Sequence, residues 1–65
     1  MITINNKAFN WDEDLTIRKM LTLYNYNYPL IIVNINGWLI HQENYDKHTV
    51  PNNAKVYVIH LLNGG

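Results

Sequence analysis

The chain contains no cysteine, few charged residues and no long apolar run. Without cysteine it forms no disulfide and no thiolate zinc site, and none of its side chains can hold sulfur as a persulfide. The lack of cysteine fits a reducing compartment, so we expect the cytoplasm or an organelle stroma. Charged residues are 15% of the sequence and sum to a net charge of zero, so a nucleic-acid partner is not expected.

The apolar stretches all fall short of the roughly 18–20 residues that a membrane-spanning helix needs, so a membrane is not an expected partner either. What the chain does have is 48% apolar residues in a length of 65, which suits one small core. We expect a single domain over residues 1–62, a flexible tail over residues 63–65, and a monomer when the protein is free.

Alternating apolar residues and turn residues predict the order strand, strand, helix, strand, short strand, loop, strand. Asn5-Asn6 and Asn36-Gly37 mark the two hairpin turns, because asparagine and glycine tolerate the positive φ of a tight turn. Val50–Asn53 marks a further turn. The predicted strands are Ile2–Ile4, Ala8–Trp11, Leu30–Ile35, Trp38–Ile40 and Val56–Leu62.

The helix is predicted from an apolar stripe that follows a capping residue. Thr16 is the expected N-cap, and the acidic stretch Asp12–Asp14 suits the positive end of the helix dipole. Asn25 and the residues up to Pro29 should end the helix. The stripe consists of Ile17, Met20, Leu21 and Tyr24.

These elements predict an α+β roll, in which a mixed sheet of four to five strands carries one main helix on one face. The first and last strands should lie parallel and adjacent in the centre. Alternation along the last strand puts Tyr57, Ile59 and Leu61 on the face without a helix. Because an open face is usually polar, we interpret these residues as a docking patch. The alternative is that the loop His41–His48, whose Tyr45 should point inward, covers this face.

No arrangement of side chains predicts catalysis or metal binding. His41, His48 and His60 are not at the spacing of a metal motif, and no Walker, dinucleotide-binding or Ser-His-Asp pattern is present. A chain this short has little room for an internal pocket. We therefore expect no metal and no bound cofactor, and a part in chemistry as a substrate rather than as an enzyme.

The last residues are Asn63-Gly64-Gly65. Glycine has no Cβ, so this segment can thread a narrow slot and present the α-carboxylate of Gly65 to another enzyme. The alternative is a frayed end without a function. We favour the first interpretation, because the last predicted strand runs directly into the glycines.

The order of these motifs, the total length and the Gly-Gly end resemble those of the thiamine-biosynthesis sulfur carriers of the ThiS family, which are ubiquitin-like β-grasp proteins. The resemblance extends over essentially the whole chain. The segments that carry it are Ile2–Asn6, Leu15–Ile17, Ile32–Gly37, Val56–Ile59 and Gly64–Gly65.

The resemblance implies a role as a sulfur carrier. An adenylating enzyme of the ThiF type would use ATP and magnesium to convert the Gly65 carboxylate to an acyl-adenylate. A persulfide of a sulfur-donor protein would displace AMP and leave a thiocarboxylate, from which thiazole synthase, ThiG, would build the thiazole of thiamine. Gly64, which has no side chain, would keep the tail narrow next to Gly65. The implied partner-binding residues are Tyr57, Ile59, Leu61 and Leu62.

Two positions depart from the family pattern. Asn52-Asn53-Ala54 stands where members often have an Asp-Gly-Asp turn, and Asn63 stands where many have a third glycine. Asn53 can still adopt positive φ in the place of the glycine. The alternatives that remain are the small subunit of molybdopterin synthase, another thiocarboxylate carrier, a ubiquitin-like conjugator, and a non-catalytic β-grasp binding module.

Overall fold

The computed structural model describes residues 1–25 and 30–60. In this part of the chain the strands form one mixed five-stranded sheet in the order β2-β1-β5-β3-β4, with one α-helix on one face. The predicted order of elements and the α+β roll are confirmed. In chain order the elements are β1 (Ile2–Ile4), β2 (Lys7–Phe9), α1 (Ile17–Leu23), β3 (Ile31–Ile35), β4 (Trp38–Ile40), a short 3₁₀ helix (Gln42–Asn44) and β5 (Lys55–His60).

The centre of the sheet is the parallel pair β1 and β5, as predicted. The Thr3 N–H donates to the Ala54 carbonyl at 3.0 Å, and the Asn5 N–H donates to the Val56 carbonyl at 2.8 Å. The other strand pairs are antiparallel. β5, the last strand in the sequence, therefore lies between two neighbours in the middle of the sheet.

Asparagine builds the tight turns of this fold. Asn5 and Asn6 have φ values of 50° and 70°, and Asn36 at 52° is followed by Gly37 at 90°. Consecutive positive φ values are those of a type I′ turn, whose twist matches the twist of the strands that it joins. Asn53 also has a positive φ of 65°, as expected for a residue in the place of a glycine.

The helix α1 begins and ends at the predicted signals. The Thr16 hydroxyl accepts the Lys19 N–H at 3.1 Å and so satisfies one of the free donors of the first turn. Asn25 has a left-handed φ of 62° and donates its N–H to the Thr22 carbonyl at 3.2 Å. Within the described ranges, no helix has both the length and the apolar character to cross a membrane.

The core lies between α1 and one face of the sheet. Alternate residues of β1 and β5 point into it, because successive side chains of a strand face opposite sides. Complete burial of each large aliphatic side chain stabilises the fold by roughly 1.5–3 kcal/mol. The buried apolar residues are Ile2, Ile4, Leu15, Ile17, Met20, Leu21, Val33, Ile35, Tyr45, Val50, Ala54, Val56 and Val58.

The second strand is shorter than the sequence predicts and starts earlier. β2 spans Lys7–Phe9, whereas the predicted strand runs to Trp11. The Trp11 indole N–H donates to the Val50 carbonyl at 2.6 Å, so this side chain is fixed to a segment 39 positions away in the sequence. A contact between residues distant in sequence thus ends the strand where local alternation alone would continue it.

Two further strand boundaries also differ. β3 begins at Ile31, and Leu30 precedes it with 41% of its surface exposed. In β3, Val33 and Ile35 are buried against the core, and Ile32 and Asn34 on the other face are half-buried. β5 begins one residue before the predicted start, at Lys55.

We predict that Thr16→Ala lowers the free energy of unfolding by about 1 kcal/mol, because the Lys19 N–H loses its acceptor. Urea unfolding followed by circular dichroism measures the change. Thr16→Ser retains the hydroxyl and should unfold close to the wild type. Equal midpoints for the alanine and serine variants would contradict the assigned cap.

Candidate functional site

The face of the sheet opposite α1 carries a patch of exposed apolar side chains. In β5, Tyr57 is 38% exposed and Ile59 is 50% exposed. The strand register places Ile32 opposite Ile59 and Asn34 opposite Tyr57. Leu39 of β4 lies opposite Asn34, on the same face, and is 58% exposed. We refer to Ile32, Leu39, Tyr57 and Ile59 as the open-face patch.

The loop at residues 41–48 does not cover this patch, because it packs beside the helix on the other face. The Arg18 N–H donates to the Tyr45 carbonyl at 2.9 Å, and the Ile17 N–H donates to the His48 carbonyl at 3.0 Å. Tyr45 points inward as predicted, with 1% of its surface exposed. The alternative in which this loop shields the apolar residues of β5 is therefore wrong.

The buried phenol of Tyr45, in the same loop, has a raised pKa. Burial raises the pKa of its phenol above the ordinary value of 10.0, and the Val33 backbone and the Arg18 guanidinium lower it only in part. The phenol is therefore neutral in the folded protein at physiological pH. Burial of the neutral Tyr45 phenol contributes its full stability below the pKa that this phenol has in the unfolded chain. The contribution is lost as the pH rises through the higher pKa that the phenol has in the folded protein.

The last strand is held beyond the end of β1 by the side chain of Asn5. Its amide nitrogen donates to the Val58 carbonyl at 3.1 Å, and its Oδ1 accepts the Val58 N–H at 2.9 Å. The side-chain amide thus replaces a backbone amide at the point where the chain turns into β2. At the start of β5, the Asn36 Oδ1 accepts the Lys55 N–H at 2.9 Å. Two asparagines thus fix the position of the strand that precedes the tail.

The structure places part of the predicted site. Tyr57 and Ile59 lie together on the open face, whereas Leu61, Leu62, Gly64 and Gly65 lie outside the described residues. β5 is described as far as His60, which pairs with Ile31 at the start of β3. The central strand of the sheet is thus the element from which the chain continues toward the two glycines.

Sequence reasoning missed the other half of the open-face patch. The Asn36-Gly37 turn makes Asn34 and Leu39 opposite residues, so a register drawn outward from this hairpin identifies Leu39 as part of the open face. Ile32 requires the register between β3 and β5, for which no local signal exists. The side chain of Asn5 was assigned only to a turn, although it also bonds to β5.

The open-face patch is suited to recognition rather than catalysis. Its apolar side chains provide no nucleophile or acid–base pair, and Lys55 is the charged residue of β5. In the described part of the chain, no group of three or more His, Cys, Asp or Glu side chains could hold a metal ion. A partner that binds the patch removes its apolar area from water, which favours association.

We predict that Asn5→Gly lowers the free energy of unfolding by about 1–3 kcal/mol and speeds hydrogen exchange at the Val58 amide, because both bonds to Val58 are lost. Asn6→Gly is the matched control, since both residues have positive φ and only Asn5 bridges to Val58. Urea unfolding and exchange followed by NMR measure both effects. Equal losses in the two variants would assign the effect to the turn backbone instead.

Comparison with known proteins supports the fold. No protein-family model matches the chain. It is 21% identical over 62 residues to the uncharacterized protein ycf40 of Trieres chinensis, with 95% of this chain and 85% of that protein covered. The crystal structure of the thiamine biosynthesis protein ThiS from Geobacter metallireducens superposes with a TM-score of 0.79 at 24% identity, covering 98% of this chain and 97% of that one. The chain thus has the ubiquitin-like β-grasp fold of ThiS.

Proposed function

We propose that this protein is a sulfur carrier of thiamine biosynthesis, which accepts sulfur at the carboxylate of Gly65. The observation that carries the proposal is the exposed apolar face of β5, the central strand that continues toward Gly64-Gly65. The likeness to ThiS over 98% of the chain supports it. The globular part is recognised by partner enzymes, and the chemistry takes place at the end of the tail.

The tail carboxylate is a poor acceptor until a partner activates it. In the proposed reaction, a ThiF-type enzyme binds ATP and magnesium, a Gly65 carboxylate oxygen attacks the α-phosphate, and pyrophosphate leaves. The terminal sulfur of a persulfide donor then attacks the acyl carbon and AMP leaves. A thiol cleaves the resulting acyl disulfide, so the thiocarboxylate is released as a new disulfide forms. Thiazole synthase, ThiG, then consumes the sulfur.

Docking on the open-face patch would hold the tail within reach of the active site. From His60 to Gly65 the chain continues for five residues, which span at most about 17 Å when extended. Because Asn5 and Asn36 hold β5 in the sheet, a partner bound to Tyr57 and Ile59 also fixes where the tail begins. Gly64 leaves the approach to the reacting carbon narrow.

This chemistry needs a compartment in which persulfides and thiocarboxylates persist. We place it in the cytoplasm or an organelle stroma, where thiols stay reduced. The carrier itself binds no cofactor in this proposal, since ATP and magnesium belong to the adenylating enzyme.

We predict that incubation with a ThiF-type enzyme, MgATP and a persulfide donor raises the intact mass by the difference between sulfur and oxygen. A variant that lacks Gly65 should show no gain and yet unfold at the same temperature as the full chain, because Gly65 follows His60 of β5 by five positions and is not part of the buried core. If the full chain shows no mass gain with an enzyme that is active on its own carrier, the protein is a binding module instead.

We predict that Ile59→Asp weakens binding to the adenylating enzyme by about tenfold or more, because it places a charge in the centre of an apolar contact. Stability should fall by about 1 kcal/mol, which is less than the loss of binding free energy, because half of the Ile59 side chain is already exposed in the free protein. Calorimetric titration measures the affinity. Trp38→Asp is the control, because Trp38 is a more exposed apolar residue whose partner in the strand register, Ile35, faces the core rather than the patch. Unchanged affinity for Ile59→Asp would remove the patch from the interface.

A further inference from the structure

A second apolar surface lies between β2 and α1, on the helix side of the sheet. It is a cleft of about 430 Å³, within the usual range of ligand sites. Phe9 and Trp11 line one side and Leu23 lines the other. Leu23 is 58% exposed, and the indole of Trp11 is fixed by its bond to the Val50 carbonyl. The cleft is therefore preformed and open to an apolar side chain of another molecule.

The cleft runs beside the edge of the sheet. Among the described strands, β2 pairs with β1 alone, so its outer edge is without a strand neighbour there. In β1, Thr3 directs its N–H to β5, so Ile2 and Ile4 form the hydrogen bonds to β2. Ala8 lies opposite Thr3, and its N–H and C=O therefore point outward from the sheet. Since Ala8 also lines the cleft, the backbone of one peptide can pair with this edge while one of its side chains fills the cleft.

One end of the cleft is acidic. Asp12 lines it, and Glu13 and Asp14 follow in the sequence outside the lining. The Asp14 N–H donates to the Asp12 Oδ1 at 2.8 Å, so this acidic turn is held against the cleft. All three are exposed. The lysines of the adjoining elements, Lys7 and Lys19, lie in β2 and in α1 respectively, outside the cleft lining. A ligand that extends past Trp11 therefore meets negative charge.

We propose that this cleft binds an extended segment of a partner protein, in which an aliphatic side chain fills the cleft and an adjacent Lys or Arg faces Asp12–Asp14. The segment adds to the sheet as a sixth strand, by hydrogen bonds to the N–H and C=O of Ala8. Affinity comes from the backbone pairing and the buried aliphatic group, and the choice of a basic partner comes from the acidic end. The cleft binds this segment whether or not Gly65 carries sulfur.

The cleft and the tail lie at different ends of the central strands. Phe9, in the cleft, pairs with Ile2 at the start of β1. β5 runs parallel to β1 from Lys55, opposite Thr3, to His60 beyond the end of β1. A peptide in the cleft therefore leaves the open face and the exit of the tail accessible, so both surfaces can be occupied at once.

The test uses two dye-labelled peptides, Lys-Lys-Val-Ile-Val-Leu and Glu-Glu-Val-Ile-Val-Leu, titrated with the full chain and followed by fluorescence anisotropy. The basic peptide should bind at least about tenfold more tightly than the acidic one, and its affinity should fall as salt is added. In ¹H–¹⁵N NMR spectra it should shift the amides of Ala8, Asn10 and Leu23 and leave those of Tyr57 and Ile59 in place.

Two variants separate the backbone from the charge contribution. Ala8→Pro removes the outward N–H and spares the hydrogen bonds to β1, so it should weaken the basic peptide by about tenfold. Ala8→Thr keeps the N–H and is its control. Glu13→Gln combined with Asp14→Asn should reduce the preference for the basic peptide, whereas Glu43→Gln, in the 3₁₀ helix, should not.

Several results would overturn the proposal. These are no binding of the basic peptide, equal affinity for the two peptides, or shifts confined to the open face. Self-association that occupies the edge of β2 would make a second copy the occupant and would also contradict it. Should Ala8→Pro fail to fold, the shift map of the wild-type protein and the charge variant still decide the outcome.

Discussion

The parallel pairing of the first and last strands is the contact on which the rest of this structure depends. It joins Asn5 to Val58, which are 53 positions apart, so the chain must close nearly its full length to form it. Only in that position do Val56 and Val58 reach the core beneath α1. The strand that leads to the tail is thus the one that the fold constrains most, with a neighbour on each side and an asparagine at each of two points.

Two surfaces remain open in the part of the chain that the structure describes. One helix covers one face of the sheet, and no described helix covers the other. The uncovered face displays the open-face patch, and no other strand in residues 1–25 and 30–60 pairs with the outer edge of β2. In a larger domain such features would be buried against further elements. In this protein they are exposed and give other proteins two separate surfaces to bind.

Local physics was enough to predict most of the fold. Alternation along β5 gave the burial of Val56 and Val58 and the exposure of Tyr57 and Ile59, and Asn36-Gly37 gave the second hairpin. What could not be predicted depends on contacts between distant parts of the chain. These are the end of β2, set by the bond of Trp11 to Val50, and the patch residues from β3 and β4, set by strand register. The side chain of Asn5 belongs to this group, because its partner is known only once β5 is placed.

The hairpin between β3 and β4 also bears on how the protein ages chemically. Asparagine before glycine is prone to deamidation, because the unhindered glycine nitrogen can attack the side-chain carbonyl carbon and release ammonia. In the fold, the Gly37 N–H is donated to the Asn34 Oδ1 at 2.9 Å, and the Asn36 Oδ1 accepts the Lys55 N–H at 2.9 Å. Both reacting groups are therefore held in other bonds, so the folded turn resists a cyclisation to which the unfolded chain is open.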